Sequence, residues 1–206
     1  MSLTAEEIEE NFIKFRSLCE KLGDRSTAAL TLVDGLGEHL AMCPASSKTD
    51  FHNAFPGGLV DHSLRVLGNA MKMLKAFGWN VPRDSLIISA LFHDIGKVGL
   101  PNPDGTISDF YVPGDAWRRD KLGEMYAYNP KQQYMTTRER SMYVCQHYGL
   151  TLKSDEYLSI LLNDGFIVDE NKHYGLKIEP LVYTIMTADY IATMQEKCTG
   201  MWAEDA

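Results

Sequence analysis

The chain has 206 residues, of which 45% are hydrophobic and 23% are charged, a composition typical of a folded globular protein and not of a disordered segment. Lysine and arginine number 20 against 28 aspartates and glutamates, so the formal net charge is −8. This acidic balance argues against a protein of duplex nucleic acid, because neutralising many phosphates requires a basic surface.

Chain length predicts a single domain over residues 1–206, with N-terminal helices within 4–42 and a core spanning about 51–197. No apolar stretch approaches the ~18–20 residues of a membrane span, and the acidic N-terminus lacks a hydrophobic signal core. The sequence therefore predicts a cytoplasmic protein without a membrane segment. Four scattered cysteines without CxxC pairing indicate reduced thiols that pack in the protein: Cys19, Cys43, Cys145 and Cys198.

Helical periodicity dominates the first half of the chain. The first predicted helix, within 4–22, opens on a Thr4 to Glu7 capping box. A loop rich in proline and serine, 43–58, separates the second helix from the third, and Pro82 is suited to open the fourth. The remaining helices of this half are predicted at 26–42, from the Gly57-Gly58 pair to Phe77, and from Pro82 to Gly96.

Residues 98–133 lose the helical pattern and are rich in glycine, proline, aspartate and aromatic residues. The Asp104-Gly105 pair within them is typical of a tight turn, which leaves room for a small β-hairpin. A loop of this length in a compact domain is usually functional or disordered. Helical patterns return at 136–148, 154–163 and 178–197, so the predicted fold class is all-α with one long irregular insertion.

Polar residues interrupt three apolar helical stripes. His93-Asp94 follows the apolar run of the fourth helix, His62 falls on the buried stripe of the third, and Asp189 shares a stripe with Leu181 and Ile185. Each residue alone is explained by an ordinary buried hydrogen bond or salt bridge. Three inward-facing segments that carry imidazoles and carboxylates together favour a shared divalent metal ion.

The order His62, His93-Asp94, Asp189 resembles the HD-domain superfamily of metal-dependent phosphohydrolases, over residues of about 51–196. The segment from Phe51 to Ser63, FHNAFPGGLVDHS, is similar to the HHAYPGGLLEHT pattern of HD-type 3′–5′ exonucleases and related proteins. Asn53 departs from that pattern, which has histidine at this position. The resemblance implies a helical bundle in which facing helices converge on a metal.

What the resemblance implies for the site is a set of four metal ligands: His62, His93, Asp94 and Asp189. Two nitrogens and two carboxylates suit Mn²⁺, Co²⁺, Fe²⁺, Mg²⁺ or Zn²⁺ without choosing among them. Binuclear members supply two further histidines before the last aspartate, and the candidates here, His147 and His173, fall in no such motif. One metal ion is therefore expected, with Asp94 at the centre of the catalytic machinery.

Four other residues are candidates for contacts with a phosphate. Lys97 lies one turn beyond His93, where it could balance the charge of a phosphate. The alternative interpretation is a solvated lysine at the C-terminal end of a helix. His52 precedes the glycine turn that leads to His62, which makes it a candidate proton donor or phosphate contact. Arg138 and Arg140 lie at a helix start suited to binding phosphate, while an exposed ion pair with Glu139 is the simpler alternative.

These observations predict an enzyme that hydrolyses a phosphate ester of a nucleotide. The acidic charge favours a small substrate such as a nucleoside monophosphate and excludes duplex nucleic acid as the main partner. One alternative is a phosphodiesterase for a cyclic nucleotide or short oligonucleotide, which the pattern around His52 favours. The other is a signalling protein that binds a nucleotide without hydrolysing it.

Overall fold

Helices provide most of the structure, as the sequence predicts. The computed structural model describes residues 2–197, so Cys198 lies outside the described residues. The α-helices of this part of the chain, in order, are α1 Ala5–Cys19, α2 Ser26–Met42, α3 Gly58–Phe77, α4 Arg83–Phe92, α5 Ala116–Leu122, α6 Thr137–His147, α7 Ser154–Leu161 and α8 Pro180–Lys197. No helix in 2–197 has the length and hydropathy that a membrane span requires.

The N-terminal helices cover one side of the core. Helix α1 begins with the predicted capping box, in which Thr4 and Glu7 each accept a hydrogen bond from the other's main chain. It packs against α2, α3 and α4, and the ring of Phe15 meets Phe92 edge-on at 5.9 Å. Helix α2 bends at Gly37, whose backbone has φ 45° and ψ −123°.

The turn into α3 depends on the glycine pair that the sequence analysis singled out. Gly57 caps the helix in the left-handed conformation, with φ 81°. A Cβ on Gly58 would lie 2.2 Å from the carbonyl oxygen of Asn53, so only glycine fits. Asn53 has φ 43°, a backbone conformation that asparagine tolerates better than most residues. This accounts for its place in the loop.

Helix α3 runs along α8 and also packs against α4, which is buried from Ser85 to Phe92. Helix α4 ends at Phe92 and not at the predicted Gly96, so His93 and Asp94 follow the helix. The chain then forms a short 3₁₀ turn, Ile95–Lys97, that packs against α6. Here Gly96 accepts a hydrogen bond from Arg140 Nε at 3.0 Å.

The insertion at 98–133 is more ordered than the sequence predicts. The turn at Asp104-Gly105 joins an antiparallel pair, β1 Gly99–Pro101 and β2 Ile107–Asp109, as expected. A second pair, β3 Tyr111–Pro113 and β4 Tyr126–Tyr128, and the helix α5 between them were not predicted. Three-residue strands are too short to show a two-residue period, so the sequence carried no clear sign of them.

Substitution of Gly96 by alanine should destabilise the protein. A Cβ at this position would lie 2.5 Å from Arg140 Cβ and from main-chain atoms of Thr137 and Ser141, so the 3₁₀ turn must move away from α6. We expect a loss of about 1–3 kcal/mol in the free energy of unfolding, measured by urea titration.

The matched control is Gly68→Ala in α3, where a Cβ meets no atom within 4 Å. Alanine in an open helical position should raise the free energy of unfolding by roughly 0.5–1 kcal/mol. Equal stability of the two variants would contradict the tight packing of the 3₁₀ turn on α6.

Candidate metal centre

The four ligands implied by the resemblance converge at one place. His62 projects from α3, His93 and Asp94 follow α4, and Asp189 projects from α8. Asp189 Oδ1 lies 3.0 Å from His62 Nε2 and 3.9 Å from His93 Nε2. His93 Nε2 lies 3.6 Å from Asp94 Oδ2. Packing of α3 on α8 and α4 thus brings together residues that are far apart in the sequence, such as His62 and Asp189.

His93 is held in one orientation by its own helix. Its Nδ1 lies 2.9 Å from the carbonyl oxygen of Ala90, which can only accept, so Nδ1 carries the hydrogen. The other ring nitrogen, Nε2, is buried and has no hydrogen-bond partner among residues 2–197. A buried polar nitrogen in this state is costly unless a further group, such as a cation, satisfies it.

His62 lies between two carboxylates. Its Nδ1 is 3.1 Å from both oxygens of Glu196, and its Nε2 faces Asp189 but has no partner in hydrogen-bond geometry within the described part of the chain. Burial lowers the pKa of His62, but Asp189 and Glu196 outweigh it and raise the pKa to about 10. Without a metal the ring therefore holds a proton, and a metal ion at Nε2 would replace that proton as the positive charge.

Glu196 is a residue that sequence reasoning missed. Its side chain is 1% exposed and pairs with His62 and with Arg65, whose Nε lies 3.2 Å away. Glu196 follows Asp189 by seven residues, two helical turns on the same face of α8, and this spacing was the available signal. A carboxylate behind a metal-binding imidazole fixes the ring and increases its basicity.

Asp94 is buried beside a lysine. Lys97 Nζ lies 2.5 Å from Asp94 Oδ2, and Asn163 Nδ2 donates to Oδ1 at 3.4 Å. Burial raises the pKa of Asp94, but the charges of Lys97, His93 and His62 lower it overall, so the carboxylate stays ionised. Burial likewise lowers the pKa of Lys97 while Asp94 raises it, with a net increase, so the ammonium stays charged.

His52 comes close to the cluster, as the glycine turn suggested. Its ring centre lies 4.8 Å from that of His62, and no described residue offers its buried Nε2 a hydrogen bond. Burial, Lys97 and His62 lower the pKa of His52 to about 3, so the ring is neutral. A neutral ring is suited to a hydrogen bond with a ligand more than to service as a general acid near pH 7.

The structure does not bring the two predicted arginines to the metal centre. Arg140 is 1% exposed, bonds Gly96 and Gln132, and lies over the ring of Phe110 at 4.3 Å. Arg138 donates to Asn171 Oδ1 at 3.1 Å. Their guanidinium groups are used by the fold, because α6 faces the 3₁₀ turn and the segment after α7 and not the ligand cluster.

His147 and His173, the candidates for a second metal, lie on the exposed surface and join neither of the His/Asp/Glu clusters found in the described residues.

The donor set fits a divalent cation. Ligand atoms of His62, His93 and Asp94 lie within 4.8 Å of one another, and Asp189 contacts both histidines. Among the described residues neither buried Nε2 atom has a partner in hydrogen-bond geometry, and two ionised carboxylates lie close to them. This combination of nitrogen and oxygen ligands is common to the divalent transition metals.

Comparison with known proteins supports the same assignment. Residues 59–128 match the family model of the HD domain, a range that contains His62, His93 and Asp94. The chain is 30% identical over 112 residues to a dihydroneopterin 2′,3′-cyclic phosphate phosphodiesterase of Methanocaldococcus jannaschii. That alignment covers 52% of this chain and 43% of the relative, so the chain spans less than half of the relative's length. No solved structure matches the chain at a significant level.

Replacing Glu196 by glutamine should weaken metal binding. The amide keeps the shape of the carboxylate but not its charge, so it no longer increases the basicity of His62. Loss of a group that hydrogen-bonds a metal-binding histidine usually lowers metal affinity about 10–100-fold. We therefore expect the binding free energy of Mn²⁺, measured by titration calorimetry, to weaken by about 1–3 kcal/mol. Glu179→Gln, at an exposed position before α8, is the matched control. Equal affinities in the two variants would show that Glu196 does not support the site.

Replacing Arg140 by lysine should affect stability first. Lysine cannot reproduce both the bond to Gly96 and the flat contact with Phe110, so the free energy of unfolding should fall by about 2 kcal/mol. Arg119→Lys, exposed on α5, should change it little. Loss of activity in Arg140→Lys with unchanged stability would instead restore Arg140 as a substrate ligand.

Proposed function

Because the chain carries an HD domain and so belongs to the HD-domain superfamily, we propose that it is a metal-dependent phosphohydrolase acting on a phosphate ester of a small nucleotide. The observation that carries this proposal is the convergence of the buried rings of His62 and His93 on two carboxylates: Asp189 Oδ1 lies 3.0 Å from His62 Nε2, and Asp94 Oδ2 lies 3.6 Å from His93 Nε2. Such a cluster is costly in the absence of a cation and is well suited to hold one.

The metal would be held by His62, His93, Asp94 and Asp189, and one ion accounts for these four residues. Mn²⁺, Co²⁺, Fe²⁺, Mg²⁺ and Zn²⁺ all suit the donor set. When bound, a divalent ion supplies charge stabilisation for a phosphoryl group and lowers the pKa of a coordinated water.

The protein's own residues bind and orient the phosphate. Lys97 keeps its positive charge beside Asp94, where it can offset the charge of a phosphate next to the ligand cluster. His52, neutral and with a free Nε2, can hydrogen-bond a phosphate oxygen or the leaving group. Asp94 stays ionised and holds Lys97 in place through the 2.5 Å contact.

A second candidate substrate is a cyclic phosphate diester. The observation that favours it is the relative from Methanocaldococcus jannaschii, whose name describes hydrolysis of a 2′,3′-cyclic phosphate. The phosphate of a monoester and that of a cyclic diester can both be bound by a divalent cation and by the positive charge of Lys97. Both kinds of substrate therefore belong in one screen.

The test is phosphate release or ring opening from nucleoside monophosphates, 2′,3′-cyclic nucleotides and short oligonucleotides, with Mn²⁺, Co²⁺ and Mg²⁺ in turn. Turnover that is lost with a chelator and restored by metal supports the proposal. Binding of these compounds without turnover under any metal would favour the non-catalytic alternative.

Asp189→Asn should weaken metal binding while the fold survives, since the amide keeps the shape and loses the charge next to His62. We expect less bound metal after gel filtration and a lower kcat/KM at limiting Mn²⁺, with recovery at high Mn²⁺. Asp169→Asn is the matched control, because Asp169 is 86% exposed and pairs only with Lys172 among the described contacts. Wild-type metal content in Asp189→Asn would make Asp189 a structural residue.

A further inference from the structure

The insertion and the loop before α3 place a group of aromatic side chains next to the metal centre. They line a cavity of about 350 Å³, here called the aromatic pocket, whose walls include Phe51, Phe110, Tyr111 and Tyr128. A pocket of a few hundred Å³ has the size of a small-molecule site.

Two residues at one end of the aromatic pocket connect it to the ligand cluster. His52 and Lys97 both line the pocket. The ring centre of His52 lies 4.8 Å from that of His62, and Lys97 Nζ lies 2.5 Å from Asp94 Oδ2. A phosphate that lies beside Lys97 and His52 can therefore extend the rest of its molecule into the aromatic pocket, the cavity that both residues line.

The aromatic wall is built by the second strand pair. Tyr111 and Tyr128 are directly opposite in the β3–β4 register, with ring centres 5.9 Å apart and planes at 26°. Phe110 lies 5.0 Å from Tyr128, and the buried guanidinium of Arg140 lies over Phe110 at 4.3 Å. Arg140 thus acts as a positioning residue behind the wall and not as a ligand.

Some aromatic side chains of the pocket remain exposed to solvent and do not pack fully in the hydrophobic core. Tyr128 is 61% exposed and Phe51 is 44% exposed, although both line the cavity. Aromatic side chains with open faces next to a polar end are the arrangement that binds bases by stacking, with the phosphate held by charge. A purely structural cover would gain nothing from leaving these rings in water.

We propose that the aromatic pocket binds the nucleobase of the substrate, with Tyr128 as the main stacking surface, so that the protein selects nucleotides over sugar phosphates that lack a base. This inference rests on the proposed function, since it assumes that the phosphate lies at Lys97. It assigns a role in substrate specificity to the insertion at 98–133.

The test compares substrates that differ only in the base. The kcat/KM is measured with Mn²⁺ for adenosine 5′-monophosphate against ribose 5-phosphate, and for 2′,3′-cyclic adenosine monophosphate against ribose 2,3-cyclic phosphate. Tyr128→Leu should lower the preference for the base-bearing member roughly tenfold, in line with the usual value of base stacking on an aromatic ring. Tyr128→Phe, which keeps the ring, should retain the preference.

The matched control is Tyr134→Leu, because Tyr134 is 88% exposed and does not line the aromatic pocket. It should keep the wild-type ratio of substrates. Metal content and melting temperature of each variant show whether a change in ratio comes from the pocket or from damage to the fold.

A second readout separates this inference from the proposed function. Adenosine, guanosine, cytidine and uridine, which carry no phosphate, are titrated into wild type and Tyr128→Leu by calorimetry and ligand-detected NMR. Nucleoside binding that depends on Tyr128, in a protein that hydrolyses none of the esters, supports the pocket and overturns the hydrolase. Hydrolysis with an unchanged ratio in Tyr128→Leu and no nucleoside binding overturns the pocket and leaves the hydrolase standing.

Discussion

Charge balance around the buried carboxylates governs the centre of this protein. Asp94 and Asp189 both lie deep at the junction of α3, α4 and α8, and each ionised carboxylate must be matched by positive charge. Lys97 offsets Asp94, and His62 lies between Asp189 and Glu196. The Nε2 atoms of His62 and His93 both lie close to Asp189 Oδ1, at 3.0 and 3.9 Å, where a divalent cation would complete the balance.

The surrounding structure can be understood as support for this cluster. Ala90 selects the tautomer of His93, and Glu196 holds the opposite nitrogen of His62. The 3₁₀ turn that carries Lys97 is held against α6 by Gly96 and Arg140, in contacts too close for any larger residue at Gly96. The positions of the polar side chains therefore depend on tight main-chain packing one layer further out.

The insertion starts directly beside the candidate metal centre. Strand β1 begins two residues after Lys97, so the chain leaves the metal centre directly into the two small sheets. The second sheet returns aromatic side chains to the same side, and Phe110 is fixed from behind by Arg140. Arg140 was predicted from its charge to bind phosphate. In the structure its buried guanidinium packs on the ring of Phe110 and donates a hydrogen bond to Gly96.

The sequence by itself predicted the α-helices of the described residues except α5, the glycine turn before α3, and the four candidate ligands that converge at the centre. These features leave local signals: a 3.6-residue period, a capping box, a glycine pair, and polar residues on apolar stripes. Only the tertiary structure decided the end of α4 at Phe92, the burial of Arg140, the pairing of β3 with β4 and the partnership of Glu196 with His62. Each of these depends on contacts between segments distant along the chain, and neither residue type nor local spacing specifies which distant segment will lie opposite.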